Sequence, residues 1–197
     1  MSLQHAILGF LSWQPMTGYD LKTQAFDDSI AHFWPADQAQ IYRTLDKLAE
    51  QGLIHSEIEM QLDRPNRKVY SITEAGRAEL RTWLHTTPDL PIHREAFLIQ
   101  LFFGDHLHNA ELVTQLDAQL ALHQQQLAVY EKINVLDRPC EPQQLRSLHL
   151  NAMTLDMGIR LEKMYIEWIE TCKAALRTLP DKNELALKST SEGTDRP

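Results

Sequence analysis

The stretch QIYRTLDKLAEQGLI, Gln40–Ile54, determines how the surrounding chain is organised. Its apolar side chains at Ile41, Leu45 and Leu48 recur every three to four residues, which predicts a helix with one buried face. Gly52 follows, and glycine is the residue at which helices commonly end. The segment is therefore predicted to be a short helix that stops at a glycine and continues as a strand.

The opposite face of this helix is basic. Arg43 and Lys47 lie four residues apart, and Asp37 with Gln40 has the spacing of a helix-capping box at the helix start. The chain as a whole is acidic, with a net charge of -8. Cations gathered on one short helix of an acidic protein predict a negatively charged partner for that face.

Helical patterns precede this segment. Residues 2–13 are apolar almost all round, so this helix is expected to be covered on more than one side, by a second domain or a second subunit. Thr17 and Asp20 have the spacing of another capping box, and a short helix is predicted to follow over 18–28.

A β-hairpin is predicted to follow the helix that ends at Gly52. Residues 54–61 alternate apolar and polar side chains, which predicts a half-buried strand with Ile58 and Met60 facing inward. A turn and a returning strand are predicted over 62–72. Three helices, this hairpin and one further helix together predict a winged helix-turn-helix domain over residues 1–87.

The second half of the chain is predicted to be helical. Residues 88–94 contain two prolines and are expected to form a linker. Two long amphipathic helices, over 109–136 and about 143–179, are joined by a proline-containing turn and predict an antiparallel hairpin. This hairpin belongs to a helical dimerisation and effector domain that is predicted over residues 95–180. The polar segment 181–197 is expected to be disordered. The predicted fold class is mostly α with a small β-hairpin: an N-terminal winged helix-turn-helix and a C-terminal helical hairpin that dimerises.

A helical hairpin has no globular core of its own, so a second copy of the chain is expected to cover its apolar stripes. Full burial of a large apolar side chain contributes about 1.5–3 kcal/mol, which favours a homodimer over exposed stripes. The predicted dimer contacts are Leu3, Ile7, Phe10, Leu116, Leu120, Leu127, Leu155, Ile159, Trp168 and Cys172.

Composition narrows the class of function. The chain has 2 cysteines without metal or redox spacing, no signal-like segment, and no run of about 18 apolar residues, which favours a soluble cytoplasmic protein. Its 9 histidines lack metal-ligand spacing, and no nucleophile with a base or Gly-rich phosphate loop is present. Neither an enzyme nor a cofactor or metal site is predicted.

Three motifs resemble the PadR family of bacterial transcriptional regulators. They are LGFLSWQPMTGYDLK, QIYRTLDKLAEQGLI and RKVYSITEAGRAEL, in the family's order and spacing within the first 86 residues. In the second half, FLIQLFFGDHL and MTLDMGIRLEKMYIEWIE resemble the long helical domain of its virulence-activator-like branch. The resemblance implies a dimeric DNA-binding regulator, most often a repressor, that small molecules such as phenolic acids release from its operator.

The resemblance also implies which residues face DNA. Tyr42 and its neighbours would face the duplex, Tyr19 would lie near phosphates, and the basic hairpin tip would form the wing. Many members have Pro directly after the residue that corresponds to Tyr42, and Ser or Gly directly before the one that corresponds to Ile41. This chain has Arg43 and Gln40 at these positions, so no base preference is implied. Motif and charge together predict a DNA-binding set of Tyr19, Gln38, Gln40, Tyr42, Arg43, Lys47, Arg64, Asn66, Arg67 and Lys68.

The chemistry of these side chains suits a duplex. Arg43 or Lys47 could pair with guanine and Gln40 with adenine in a major groove, while the wing cations would contact phosphates. Residues 1–86 nevertheless carry 8 Lys and Arg against 11 Asp and Glu, a net charge of −3 that is unusual for a DNA-binding domain. An alternative therefore stays open: a helical adaptor that uses its winged fold for protein contacts.

An effector pocket is a further possibility that the aromatic residues suggest. Phe102, Phe103, Tyr165 and Trp168 are candidates to line a site between the two domains, and Trp13, Phe33 and Trp34 are additional candidates. The competing interpretation is that all of them are core or dimer contacts.

Overall fold

The computed structural model describes residues 2–31, 33–60, 66–137 and 141–182. The chain divides into two compact units, Met1–Pro91 and Ile92–Pro197. Arg64 of the predicted wing and residues 183–197 of the predicted disordered tail lie outside the described residues.

The first unit is a winged helix-turn-helix, as predicted. Its three strands form an antiparallel sheet in the order β1-β3-β2, and the sequence had not indicated β1. Pairing of the hairpin runs from Ile54 opposite Ile72 to Glu59 opposite Arg67. In chain order the elements are α1 (Ser2–Trp13), β1 (Met16–Thr17), α2 (Gly18–Asp20) with a π-helical continuation (Leu21–Ile30), α3 (Gln38–Glu50), β2 (Ile54–Glu59), β3 (Arg67–Ile72) and α4 (Glu74–Leu84).

Helix α1 is the centre of this unit. It contacts the π-helical segment, α3, β3 and α4, which explains why its sequence is apolar almost all round. The elements that cover it belong to its own unit, so the expectation that a second domain or subunit is needed to cover it is corrected. Ile7 and Leu8 are fully buried in the resulting core.

The ends of α3 follow the predicted signals. Asp37 and Gln40 form the capping box at its start. At its end, Gly52 has a φ of 69°, the Gly52 N–H donates to the Ala49 carbonyl, and the Leu53 N–H donates to the Leu48 carbonyl. This is the paired hydrogen-bond pattern of a Schellman ending, and the left-handed φ is the conformation that glycine adopts without strain.

The expected burial along β2 is wrong. Ile58 is 68% exposed and Met60 79% exposed, and of the residues in β2 only Ile54 is buried. Alternation of side chains along a strand produces an apolar face whether or not something covers that face. The core reaches Tyr70 of β3, which is buried opposite Ser56, and beyond this pair the hairpin extends past the core, so Ile58 and Met60 meet solvent.

The second unit consists of three α-helices among the described residues: α5 (Ala96–Phe102), α6 (Asn109–Tyr130) and α7 (Leu145–Leu176). The Asn109 amide donates to the Leu176 and Leu179 carbonyls, while Lys173 pairs with Asp117 at 2.8 Å. The start of α6 therefore lies beside the end of α7, which is the antiparallel hairpin that the sequence predicts. Phe97 of α5 packs between them with Leu116 and Ile169.

The buried stripe of α7 keeps a seven-residue spacing. Leu155, Glu162 and Ile169 are its buried positions, whereas Leu161 is 40% exposed. A carboxylate in such a stripe is unfavourable unless it has a partner. The structure retains Glu162 because His123 of α6 pairs with it.

Several predicted dimer residues have other roles in the protomer. Ile7 and Phe10 lie in the first core, and Leu116 and Leu155 are buried in the second unit, so these four are corrected to core positions. Leu120, Trp168 and Cys172 pack against the second core, and Leu3 against the first. Leu127 and Ile159 are half-buried. A different stripe of α7 is exposed: Leu150, Met153, Met157, Leu161 and Met164.

Among the described residues, every helix is too short or too polar to cross a membrane.

Candidate nucleic-acid interface

The outer face of α3 presents exposed cations. Arg43 and Lys47 are both solvent-exposed, as are Gln38 and Gln40. In the part of the chain that the structure describes, neither Arg43 nor Lys47 forms an ion pair. Asp46 and Glu50 of the same helix therefore do not neutralise them. Their charge is available to an outside partner.

Tyr42 connects α3 to the start of α2. Its ring lies against Gly18, so closely that a Cβ at position 18 would fall 2.6 Å from Tyr42 Cε1. The side chain remains 38% exposed beside the basic face, and Tyr19, next to Gly18, is 64% exposed. Tyr42 is thus held against Gly18, a contact that leaves no room for a Cβ, and Tyr19 is the exposed residue next to that glycine.

Asp20 anchors the wing to the same region. Its carboxylate accepts hydrogen bonds from the Thr17 hydroxyl at 2.7 Å and backbone N–H at 3.2 Å, and from Arg67 Nη2 at 2.9 Å. Burial alone would raise the pKa of this carboxyl, but the Thr17 hydrogen bonds and the Arg67 charge outweigh it and lower the pKa. Arg67, predicted to contact phosphate, therefore already has an ionic partner that ties β3 to α2.

The capping box engages Gln40 as well. The Asp37 N–H donates to Gln40 Oε1 at 3.4 Å, and the Gln40 N–H donates to Asp37 Oδ1 at 2.7 Å. Pairing with adenine needs both the oxygen and the nitrogen of the amide. With its oxygen turned towards the helix start, Gln40 is placed to offer its amide nitrogen to an outside partner, so the bidentate adenine contact is not pre-formed.

The two faces of the wing differ in charge. Lys68 lies opposite Ile58, whereas Glu57 and Glu59 lie opposite Val69 and Arg67. Since adjacent residues of a strand point to opposite faces, Lys68 shares a face with Ile58, and Arg67 shares the other with the glutamates. The acidic residues that weigh against DNA binding are thus segregated from Lys68.

Lys68 and Asn66 are the remaining predicted wing residues within the described chain. The Lys68 ammonium lies 5.1 Å from the centre of the Tyr70 ring, a cation–π distance, while the side chain stays exposed. Asn66 is exposed immediately before β3.

The predicted effector residues do not form one cluster. Phe102 and Phe103 contact each other and line an open groove along α5 with His93 and Arg94. Trp168 and Tyr165 form a second pair, with an edge contact at 6.4 Å between ring centroids. Trp168 also makes an edge contact with Phe97 in the second core, and Tyr165 lies against α6.

Tyr165 belongs to a polar network that the sequence did not indicate. Its ring stacks on His123 at 4.3 Å, and its hydroxyl donates to Glu95 Oε2 at 2.6 Å. His123 Nδ1 in turn lies 2.6 Å from Glu162 Oε2. Burial, the hydrogen bond to Glu95 and the nearby negative charges raise the pKa of Tyr165 to about 12. The one sequence feature that could have revealed this network is Glu162, a charged residue at an apolar position of the α7 stripe, which faces His123 of α6.

No group of three or more His, Cys, Asp or Glu among the described residues is arranged to hold a metal ion.

Three helices, a wing and an exposed basic face on the third helix define a winged helix-turn-helix protein of the DNA-binding type. The chain belongs to the PadR-like family of transcriptional regulators. The model of that family matches residues 7–82, and the model described as the virulence activator alpha C-terminal domain matches residues 93–177. The family consists of transcriptional regulators rather than enzymes, in agreement with the sequence prediction.

Three relatives illustrate the similarity. A probable transcriptional regulator of Mycobacterium tuberculosis is 33% identical over 188 residues, which cover 90% of this chain and 98% of the relative. The negative transcriptional regulator PadR of Bacillus subtilis is 29% identical over 180 residues, 88% of this chain and 97% of that protein. Its structure with operator DNA has a TM-score of 0.76 at 28% identity, covering 89% of this chain and 99% of that one. Its structure with p-coumaric acid has a TM-score of 0.74 at 27% identity, covering 90% and 99%. The virulence activator AphA of Vibrio cholerae has a TM-score of 0.60 at 31% identity, covering 90% and 99%.

Proposed function

We propose that this protein is a cytoplasmic, homodimeric, sequence-specific DNA-binding regulator, a repressor that a small-molecule effector releases from its operator. The repressor role is favoured by the similarity to the negative regulator of B. subtilis, whose structures contain operator DNA and p-coumaric acid. A phenolic or other aromatic compound is the expected class of effector.

The unpaired basic face of α3 is the observation that carries this proposal. Lys22, Arg67 and Arg81 each pair with a carboxylate of their own unit, whereas Arg43 and Lys47 do not pair with any within the described chain. A guanidinium or ammonium in a major groove can contact guanine O6 and N7, and one bidentate contact of this kind discriminates by about 1–3 kcal/mol. In this arrangement Lys68 of the wing contacts a phosphate and sets the register.

The homodimer is proposed to form through the second unit. Its α7 exposes a stripe of five large apolar side chains, Leu150 to Met164, over four turns. Contiguous exposed apolar surface of this kind marks an interaction site in soluble proteins. A two-fold dimer predicts a pseudo-palindromic operator with half-site centres about 34 Å, or a multiple of that, apart.

The proposal is tested by fluorescence-anisotropy titration on DNA from upstream of its own gene and its neighbours, at about 50 and 200 mM salt. We expect a discrete complex that weakens steeply with salt. The double variant Arg43→Ala, Lys47→Ala is expected to lose at least about tenfold in affinity and to abolish the preference for operator over random DNA. The matched control is Arg77→Ala, Arg81→Ala on α4, which removes the same charge from the same unit and is expected to retain the preference.

A second function, the helical adaptor, is favoured by the net charge of −3 over residues 1–86. The adaptor function predicts no discrete complex with DNA from any neighbouring promoter. The two double variants would then give the same result in the DNA titration. A complex that weakens equally in both variants would indicate attraction by net charge rather than a reading helix.

A further inference from the structure

The first unit contains an aromatic cavity that DNA binding does not use. Its volume is about 260 Å³, and its walls include Trp13, Ile30, Trp34 and Trp83. Among the described residues that line it, none is charged, and the polar side-chain groups are the Ser2 hydroxyl and the indole N–H groups of the three tryptophans. Trp13, at 60% exposure, and Trp34, at 38%, are much more open than indole rings of a closed core.

Two of the walls are held in place by neighbouring rings. Trp83 stacks on His5 with centroids 4.5 Å apart, and His5 is fixed by Glu79 at 3.1 Å. Trp13 makes an edge contact with Phe10, whose ring is buried in the core. The cavity is therefore shaped before any ligand arrives, which lowers the entropic cost of binding.

Gly9 opens the floor of this cavity. It lies in the middle of α1, where glycine is unfavourable compared with alanine, and a Cβ at this position would meet nothing within 4 Å. Its φ lies in the ordinary helical range, since Gly52 is the glycine with a positive φ. Neither backbone geometry nor close neighbours require a glycine at position 9. What a side chain there would do is occupy the cavity.

We infer that this cavity binds a neutral, planar aromatic molecule of one or two fused rings. A dry cavity of about 150 Å³ accepts benzene and drug-sized pockets begin near about 300 Å³, so 260 Å³ suits a ligand between these sizes. Indole walls favour stacking and edge contacts with such a ring system. Because no described lining residue carries a charge, a carboxylate would gain no ionic partner in exchange for the hydration it loses. The site thus selects an uncharged ring compound over an aromatic acid.

The inference builds on the proposed function, for which it supplies an effector site and a chemical class. Binding of the ring compound and binding of DNA are separate measurements, so the failure of one is distinguishable from the failure of the other.

The test is isothermal titration calorimetry of the full chain with β-naphthol and with β-naphthoate, which differ in charge at pH 7. The variant Gly9→Leu projects a side chain into the cavity, and Gly9→Ala is its matched control. Both replace the helix-breaking residue, but alanine leaves most of the space open. Thermal unfolding of both variants verifies that the fold is intact, and we expect each to be at least as stable as the wild type.

We expect the wild type and Gly9→Ala to bind β-naphthol, with at least about tenfold weaker binding of β-naphthoate, and Gly9→Leu to lose at least about tenfold in affinity for β-naphthol. Truncation of an exposed wall, Trp13→Ala, is expected to weaken β-naphthol binding as well. The inference is overturned if the wild type does not bind β-naphthol, if Gly9→Leu binds it as tightly as Gly9→Ala, or if the carboxylate binds equally well.

Discussion

Replacement of Gly18 by alanine tests whether DNA binding depends on where the Tyr42 ring lies, because it displaces the ring without removing it. The added Cβ would lie 2.6 Å from Cε1 and 2.7 Å from Cζ of Tyr42, whereas carbon atoms in contact prefer about 3.5–4.0 Å, so the ring must move by about 1 Å. The ring is 38% exposed and can move towards solvent, which places the strain at the low end of the range for overpacking, about 1 kcal/mol. The backbone at position 18 has no positive φ, and alanine gains at most about 0.5–1 kcal/mol over glycine, the value for the middle of a helix, whereas Gly18 is the first residue of α2. This gain offsets part of the strain.

Stability is therefore expected to change by less than about 1 kcal/mol, a shift in Tm of no more than about 4–8 °C for a unit of this size. DNA affinity is expected to fall by about tenfold, because a contact made by Tyr42 on the exposed face is worth about 1 kcal/mol or more and depends on its position. The assay is anisotropy titration on the operator, accompanied by thermal unfolding. Tyr42→Ala, alone and combined with Gly18→Ala, completes a double-mutant cycle.

In that cycle, Gly18→Ala is expected to have no further effect once Tyr42 is absent. Wild-type affinity in Gly18→Ala would refute the reasoning, because it would mean that the tyrosine position is irrelevant to DNA. An equal loss in the Tyr42→Ala background would also refute it, since the effect would then act through another residue.

Two further predictions concern stability and titration. In Gly76→Ala, the new Cβ would lie 2.1 Å from the Leu53 carbonyl oxygen, which cannot yield easily because it accepts the Thr73 N–H at 3.0 Å; we expect urea denaturation to show a loss of about 1–3 kcal/mol or more, against no loss in Gly9→Ala. For Tyr165, the pKa of about 12 means that the folded state favours the neutral phenol. The contribution of Tyr165 to the free energy of unfolding is therefore complete below pH about 10 and is lost as the pH rises towards 12. Ultraviolet titration is expected to show a late tyrosinate component that Tyr165→Phe removes, and an unchanged late component in the variant would contradict the assignment.

The sequence predicted those parts of the fold that depend on local chemistry. The capping boxes at Thr17 and Asp37 and the helix end at Gly52 were predicted because each signal acts within five residues of the chain. The burial of Ile58 and Met60 was predicted wrongly because alternation identifies a face of a strand but not what covers it. The burial of Glu162 in the α7 stripe could not be predicted from a local pattern because its partner, His123, is 39 residues away.

The candidate site was predicted in its membership but not in its internal contacts. The exposure of Arg43 and Lys47 followed from helix periodicity. Arg67 and Asp20 are 47 residues apart in the sequence. They meet because β1 pairs with β3 and so brings the start of α2 beside the wing. Since a charge count treats paired and unpaired cations alike, it could not show which of them are available to DNA.

The same distinction explains how an acidic unit can have a basic reading face. Lys22 and Arg81 form ion pairs with Asp27 and Glu74. These two cations therefore add to the charge count of the first unit but are not available to DNA. Exposed charges are screened beyond roughly 10 Å at about 0.1 M salt, so a duplex against α3 responds to the local pair Arg43 and Lys47 more than to the net charge. The acidic remainder then disfavours nonspecific approach by other faces, which lowers the background against which an operator is selected. An acidic balance outside the reading face and a basic pair within it are thus two parts of one arrangement for specificity.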